Sequence, residues 1–283
     1  MKKGWMLDEG QKEPARLQRS RGEARVTLQV RRGATRLAGL RQAGCAKAML
    51  PRVHRRDPEV VFLNTAGGLT GGDHLDQRLI LGPGARAIGT TQTAERIYAS
   101  AGGRARVDMA LEVGPGGRLI WCPQETILFD RAALDRRTVI TLAEGAECLF
   151  AETLVLGRTA MGETLGALDL RDRRMVCRDG VPVFLEPLHL DRAWLARRAG
   201  PALLADAVAL STLVLAAPGA ENRLDGLRRI LPAPDPGLTA AATAWDDVLV
   251  LRAVAADTLA LRRLIAAALI HLSGAPLPRV WQN

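Results

Sequence analysis

Aromatic residues are scarce in this chain: one Tyr, four Phe and five Trp among 283 residues. Single-stranded nucleic acid is bound by basic grooves interleaved with stacking rings, and that pattern is missing. Cysteine is scarce too. Cys45, Cys122, Cys148 and Cys177 are widely separated, with no CxxC pair, which excludes a zinc-finger spacing and a dense disulfide framework. Free thiols suit a reducing compartment, so a cytoplasmic location is expected. Long apolar runs are absent as well. The longest, Ala202 to Ala217, contains Asp206 and is too short for a membrane-spanning helix. The opening Met1-Lys2-Lys3-Gly4-Trp5 lacks the apolar core of a signal peptide. No catalytic set can be assembled either. His54, His74, His189 and His271 are scattered, with no HExxH or GxSxG. His74 adjoins Asp73, but neighbours on a strand point to opposite faces. Nucleic-acid binding, membrane insertion and enzymatic catalysis are all disfavoured.

What is present is hydrophobic mass and unevenly placed charge. Hydrophobic residues make up 48% of the chain, enough for a large core. The formal net charge is +9, and through residue 56 fifteen Lys/Arg stand against four Asp/Glu. The remainder is close to neutral. A basic arm of this kind suits an acidic protein surface.

From about residue 24 to 190 the pattern is strand after strand. Val107, Met109, Leu111 and Val113 share one face, and Arg106, Asp108 and Glu112 the other, a period of two. Turn signals recur at Gly82-Pro83-Gly84, Gly102-Gly103, Gly114-Pro115-Gly116-Gly117, Gly145 and Asp179-Gly180, the last a hairpin dipeptide. The expected fold is mainly β: a large stacked-strand body, β-helix-like or sandwich-like, with a few helices mostly in the C-terminal third. One domain over 1–283 is expected, its β-rich body at about 24–190 and a mixed α/β part at about 191–283. No sequence repeat insists on a solenoid. In the second part, Ala193–Leu204 is helix-tolerant, Glu221–Leu231 reads as a helix, and Pro232, Pro234 and Pro236 form a loop. Val248–Val254 reads as a strand. Leu261, Leu264, Ile265, Ala268, Leu269 and Leu272 define a helix, with Asp257 as N-cap and Gly274 as stop.

Two features carry chemistry. The first is Asn64-Thr65-Ala66-Gly67-Gly68-Leu69-Thr70-Gly71-Gly72-Asp73. It is not a phosphate loop, because Asp73 stands where Gly-Lys-Ser/Thr is needed. Either Asp73 bonds its own backbone in a turn, or the glycines aim it at a ligand. The second is carboxylates in apolar company. Glu152 shares strand parity with Phe150, Leu154 and Leu156; Glu186 with Phe184, Leu188 and Leu190; Glu125 with Ile127 and Phe129. A buried carboxylate must be protonated, paired with Arg, solvated in a channel or bound to a cation.

The chain resembles the urease accessory protein family UreD, also called UreH. The likeness lies in Lys3-Gly4-Trp5, the glycine run ending in Asp73, Thr90-Thr91-Gln92-Thr93-Ala94-Glu95-Arg96-Ile97-Tyr98 and Trp121-Cys122-Pro123-Gln124-Glu125-Thr126-Ile127. It continues through Leu156-Gly157-Arg158 with Gly162-Glu163, then Leu188-His189-Leu190 and Leu277-Pro278-Arg279-Val280-Trp281. The resemblance implies a non-enzymatic urease maturation factor, one that binds apo-urease together with a UreF-like accessory protein and a UreG-like GTPase. It implies nickel in transit through an internal tunnel, with no tightly bound cofactor. It also implies that Asp73, Glu125, Glu152 and Glu186 are transient metal positions lining that tunnel. Glu95 falls where relatives carry a small hydroxyl residue. Carboxylates along a wet passage release Ni²⁺ more readily than His or Cys clusters do. On this reading Asp73 borders an internal cavity in register with Glu152 and Glu186. The alternative is a pure adaptor whose carboxylates only maintain the fold.

Overall fold

Alternating apolar residues in short runs, punctuated by glycine corners, can be buried only by laying one sheet on another. The computed structural model describes residues 18–52, 55–158, 161–200, 203–205, 207–233, 235 and 237–282. The Lys3-Gly4-Trp5 motif, His54, Asp206, Pro234 and Pro236 lie outside the described residues. One sheet contains β1 (Arg21–Arg31), β2 (Ala34–Gly44), β5 (His74–Leu81), β8 (Ala105–Val113), β11 (Ala132–Leu142), β13 (Leu168–Arg178) and β14 (Val181–Leu190). Its order is β14-β13-β11-β8-β5-β1-β2. The second contains β3 (Ala46–Met49), β4 (Glu59–Asn64), β6 (Arg86–Thr91), β9 (Arg118–Trp121), β12 (Glu147–Leu156), β15 (Ala209–Ala216), β16 (Leu238–Trp245) and β17 (Val248–Ala255). Its order is β16-β17-β15-β12-β9-β6-β4-β3. Two short strands, β7 (Glu95–Ile97) and β10 (Thr126–Leu128), pair in parallel, and β10 also pairs with β12.

Between β4 and β13 the chain alternates between the sheets and returns each time in the same direction. β5, β8, β11 and β13 are therefore parallel in one sheet, and β4, β6, β9 and β12 in the other. This is a solenoid-like stack. Its corners hydrogen-bond in series: Gly114 N donates to Leu81 O at 2.8 Å, Ala143 N to Val113 O at 3.0 Å and Asp179 N to Leu142 O at 3.0 Å. Gly84, Gly116 and Gly145 take φ of 65°, 62° and 65° at equivalent corners, a left-handed conformation that suits glycine. A repeat thus exists after all. It is confined to these corners, because the strands between them preserve only parity.

Two cores flank the second sheet. Leu28, Leu79, Leu111, Leu142 and Val176 meet Phe62, Trp121, Phe150 and Val250 between the sheets. On the other side, Leu149, Val155, Leu213 and Leu251 meet helix α3 (Thr258–Ser273) through Leu261, Ile265 and Leu269. Asp257 accepts from Leu259 N at 2.9 Å, and Gly274 ends the helix at φ 64°. β12, buried on both faces, divides its side chains by parity, with Phe150, Glu152 and Leu154 turned to the inter-sheet space. Burying each large aliphatic side chain contributes about 1.5–3 kcal/mol before entropy is counted.

Three expectations shift. The helix-tolerant stretch from Ala193 yields only the single turn α1 (Arg192–Leu195). Ala220–Arg223 is a 3₁₀ turn leading into α2 (Leu224–Ile230). β16, rich in alanine, carries no strand-forming signature, and its hairpin to β17 turns on Asp246 and Asp247 at φ 42° and 63° rather than on glycine. None of the described helices is long and apolar enough to cross a membrane.

Candidate functional site

The space between the sheets is not filled throughout. A cavity of ≈ 220 Å³ opens near Asn64, Gln92 and Glu95 and reaches inward to Gln77, Arg136 and Glu152. β4, β6 and β7 supply its mouth, and β5, β11 and β12 its base. No histidine or cysteine among the described residues lines it. Among the described residues, no three His, Cys, Asp or Glu side chains converge to hold a metal ion.

At the base the charges are paired. Glu152 Oε2 accepts from Arg174 Nε at 2.8 Å and lies 3.3 Å from Arg136 Nη2. Glu152 Oε1 accepts from Thr138 Oγ1 at 2.9 Å and from Trp121 Nε1 at 3.5 Å. Arg136 Nε donates to Asp172 Oδ1 at 2.9 Å, and the Nη2 groups of both arginines reach Asp172 Oδ2. Arg174 Nη1 donates to Glu186 Oε2 at 2.7 Å, while Glu186 Oε1 accepts from Arg252 Nε at 2.9 Å. Burial alone would raise the Asp172 carboxyl, but the Arg136 and Arg174 guanidiniums outweigh it and hold it below the ordinary range. Burial would also raise Glu186, and Arg174 and Arg252 reverse that. Burial opposes charge on Arg174, yet the carboxylates of Asp172, Glu152 and Glu186 raise its pKa above the ordinary value. The network joins β12 and β17 of one sheet to β11, β13 and β14 of the other.

At the mouth the chemistry differs. Glu95 Oε1 accepts one neutral hydrogen bond, from Asn64 Nδ2 at 3.1 Å. Burial pushes the Glu95 carboxyl up to about 7, and the Asn64 amide offsets this only in part. The glycine run holds this mouth in place. Leu69 N donates to Arg96 O at 2.8 Å, and Tyr98 N to Leu69 O at 2.8 Å. A Cβ on Gly68 would strike the Tyr98 ring and the Arg96 carbonyl, and one on Gly71 would strike Ser100 and Gly102.

Asp73 requires a correction. It is buried, but it does not line the cavity. Its Oδ1 accepts from Ser20 N at 2.7 Å and its Oδ2 from Thr70 N at 2.8 Å, so it ties the glycine turn to the start of β1. Of the four carboxylates singled out, Glu152 and Glu186 are brought together through Arg174. Glu125 keeps the parity of Ile127, but that face of the sheet meets α3. Its Oε1 accepts from Arg262 Nη1 at 2.7 Å, and Arg262 stacks 4.5 Å over the Trp281 ring. Sequence reasoning missed Arg136, Asp172 and Arg174. The same test would have found them, since each shares parity with buried neighbours such as Leu134, Ile140, Leu170 and Val176. Cys122 and Cys148 are buried thiols whose pKa burial pushes up, so they are not primed as nucleophiles.

Together these features define a class: a two-sheet β-solenoid scaffold enclosing a largely apolar cavity with a few carboxylate, amide and hydroxyl groups in its wall, with a helical layer on one flank. The family described as UreD urease accessory protein matches residues 20–282. The chain is 58% identical over 268 residues to a urease accessory protein UreD of Cereibacter sphaeroides, covering 95% of this chain and 97% of that one. It is 53% identical over 269 residues to that of Dinoroseobacter shibae, covering 94% of each. The corresponding protein of Paracoccus denitrificans is 49% identical over 269 residues, covering 95% of this chain and 94% of its own. This chain belongs to the UreD family of urease accessory proteins and takes part in urease maturation.

Proposed function

We propose that this protein is a scaffold in urease maturation that holds apo-urease together with a UreF-like accessory protein and a UreG-like GTPase, and that nickel crosses its interior. The supporting observation is the inter-sheet cavity, with Glu95 at the mouth and Glu152 at the base. Both offer carboxylate oxygen without imidazole or thiolate, so each binds Ni²⁺ weakly enough to release it. Glu186 is the next carboxylate beyond Arg174, on the far side of the network. Asp73 and Glu125 act as positioning groups, one for the glycine turn and one for the α3 flank. The ion pairs at the base close the passage until Arg174 or Arg136 moves aside.

The test is co-expression with urease in nickel-containing medium. Glu95→Ala is expected to lower the nickel content of urease severalfold while the complex still assembles. Full nickel loading by the Glu95→Ala/Glu152→Gln double variant would overturn the passage.

A second reading has its own support: each of the four carboxylates first singled out is engaged by guanidinium or backbone donors. On that reading the protein is a pure adaptor, and its carboxylates hold the fold. Partner capture and soluble yield would then fall in step with urease activation in every such variant.

A further inference from the structure

The outer face of the first sheet has no role in the cavity or the ion-pair network. Strand register places Arg106, Asp135, Arg171 and His189 in one row across β8, β11, β13 and β14, and Asp108, Arg137, Arg173 and Pro187 in the next. Asp108 is taken by Arg106 at 2.6 Å and His74 at 3.0 Å. Arg137, Arg171 and Arg173 are exposed, and among the described residues none has a carboxylate within salt-bridge distance. Arg137 and Arg173 are direct cross-strand neighbours, an arrangement of like charges that costs stability. These arginines border a shallow depression of ≈ 480 Å³. Beside them Leu185, 55% exposed, stands opposite Met175. Pro182 and Pro187 deprive β14, the edge strand, of two N–H donors, so strand addition at this edge is poorly supported.

We propose that this face, centred on Arg137, Arg171, Arg173 and Leu185, docks an acidic protein surface that carries an apolar side chain between its carboxylates. Unpaired guanidiniums beside an exposed leucine form an anchor with a charged rim, the anatomy of a protein interface. Among the described residues, the face contains no aromatic residue on which a base could stack. Asp108 and Asp135 interrupt the arginines, a pattern unfavourable to a phosphate backbone or an anionic bilayer. That the partner belongs to the urease-maturation set rests on the function proposed above; the surface chemistry does not.

The decisive experiment measures association of the full chain with apo-urease and with each accessory protein, purified separately, over a range of salt concentrations. Rim charges act mainly on the association rate and its salt dependence. The R137E/R171E/R173E variant is expected to associate at least about tenfold more slowly with one partner and to lose most of its salt dependence. L185D should dissociate faster from that same partner, and Arg25→Glu, on the same face at the far side of the sheet, should match the parent chain. Unchanged melting temperatures establish that the variants fold. Unaltered binding of every partner by both R137E/R171E/R173E and L185D would overturn the proposal. So would loss, in the triple variant, of binding to a labelled single-stranded oligonucleotide or to phosphatidylglycerol vesicles while protein association persists. Failure of nickel transfer in Glu95 variants does not bear on this result.

Discussion

The two ends of the inter-sheet cavity place glutamates in opposite circumstances. Glu152, at the base, meets two guanidiniums, a hydroxyl and an indole N–H. Glu95, at the mouth, meets the Asn64 amide and the backbone N–H of Arg96. Glu152 is buried and Glu95 half-buried, and at Glu95 desolvation outweighs its hydrogen bonds and the Arg96 charge, raising its proton affinity. The base therefore holds fixed charge that joins the sheets, whereas the mouth holds a carboxyl poised between its two protonation states. On the proposed nickel passage, a cargo cation would find an available ligand at the mouth and a competing guanidinium at the base.

The most severe way to probe this contrast is Arg174→Met. It leaves Glu152, Asp172 and Glu186 each short of a partner, and breaking a buried pair costs about 3–5 kcal/mol. Urea denaturation is expected to show that loss; a change below about 1 kcal/mol would mean that the network does not join the sheets. Glu152→Gln is milder. It removes the anion but keeps the shape, at a cost of about 2 kcal/mol, in the range for hydrogen bonds to charged groups. Asn64→Ala acts at the mouth and removes one neutral hydrogen bond, worth about 1 kcal/mol. Because that bond favours the ionised form, its loss should raise the Glu95 pKa further, which NMR titration of the side-chain carboxyl would detect.

Much of the architecture was legible from parity and punctuation. Asp179-Gly180, with φ of 47° and 81°, turns β13 into β14, and α3 begins and ends at Asp257 and Gly274. The placement of Glu152 and Glu186 in an apolar face was legible for the same reason. Which of its two faces a sheet turns toward the other sheet is not written in parity. Glu125 therefore looked equivalent to Glu152, although one meets α3 and the other the cavity. At Asp73 the local pattern leaves two readings, and the one that holds is the turn: Asp73 accepts from Thr70 N within its own run. The close contacts of the glycines are with Arg96, Tyr98 and Ser100, so what the run positions is the strand bearing Glu95, not a cavity-lining Asp73. Contacts between segments about thirty residues apart leave no local trace in a single sequence.

The smallest expected effect on stability at low pH separates the two sites most cleanly. Glu95→Gln keeps the size of the side chain and can still meet the Asn64 amide, so stability below about pH 4.5, where Glu95 is protonated in both states, should change by less than about 0.5 kcal/mol. The difference appears as pH rises. With its native pKa raised from 4.5 to about 7, Glu95 binds its proton more tightly in the folded chain than in the unfolded one. Its contribution is therefore full below the unfolded value and is lost as pH climbs through the folded value. The parent chain should lose stability across that window relative to Glu95→Gln, so the variant becomes the more stable of the two at about pH 8. Paired denaturation curves at about pH 4 and pH 8 measure the crossing. Added Ni²⁺ should restore the parent at the higher pH and leave the variant unchanged, because only an ionised carboxylate gains from a neighbouring cation. Parallel pH profiles for the two chains would mean that Glu95 binds its proton equally well folded and unfolded, and would remove the distinction between mouth and base.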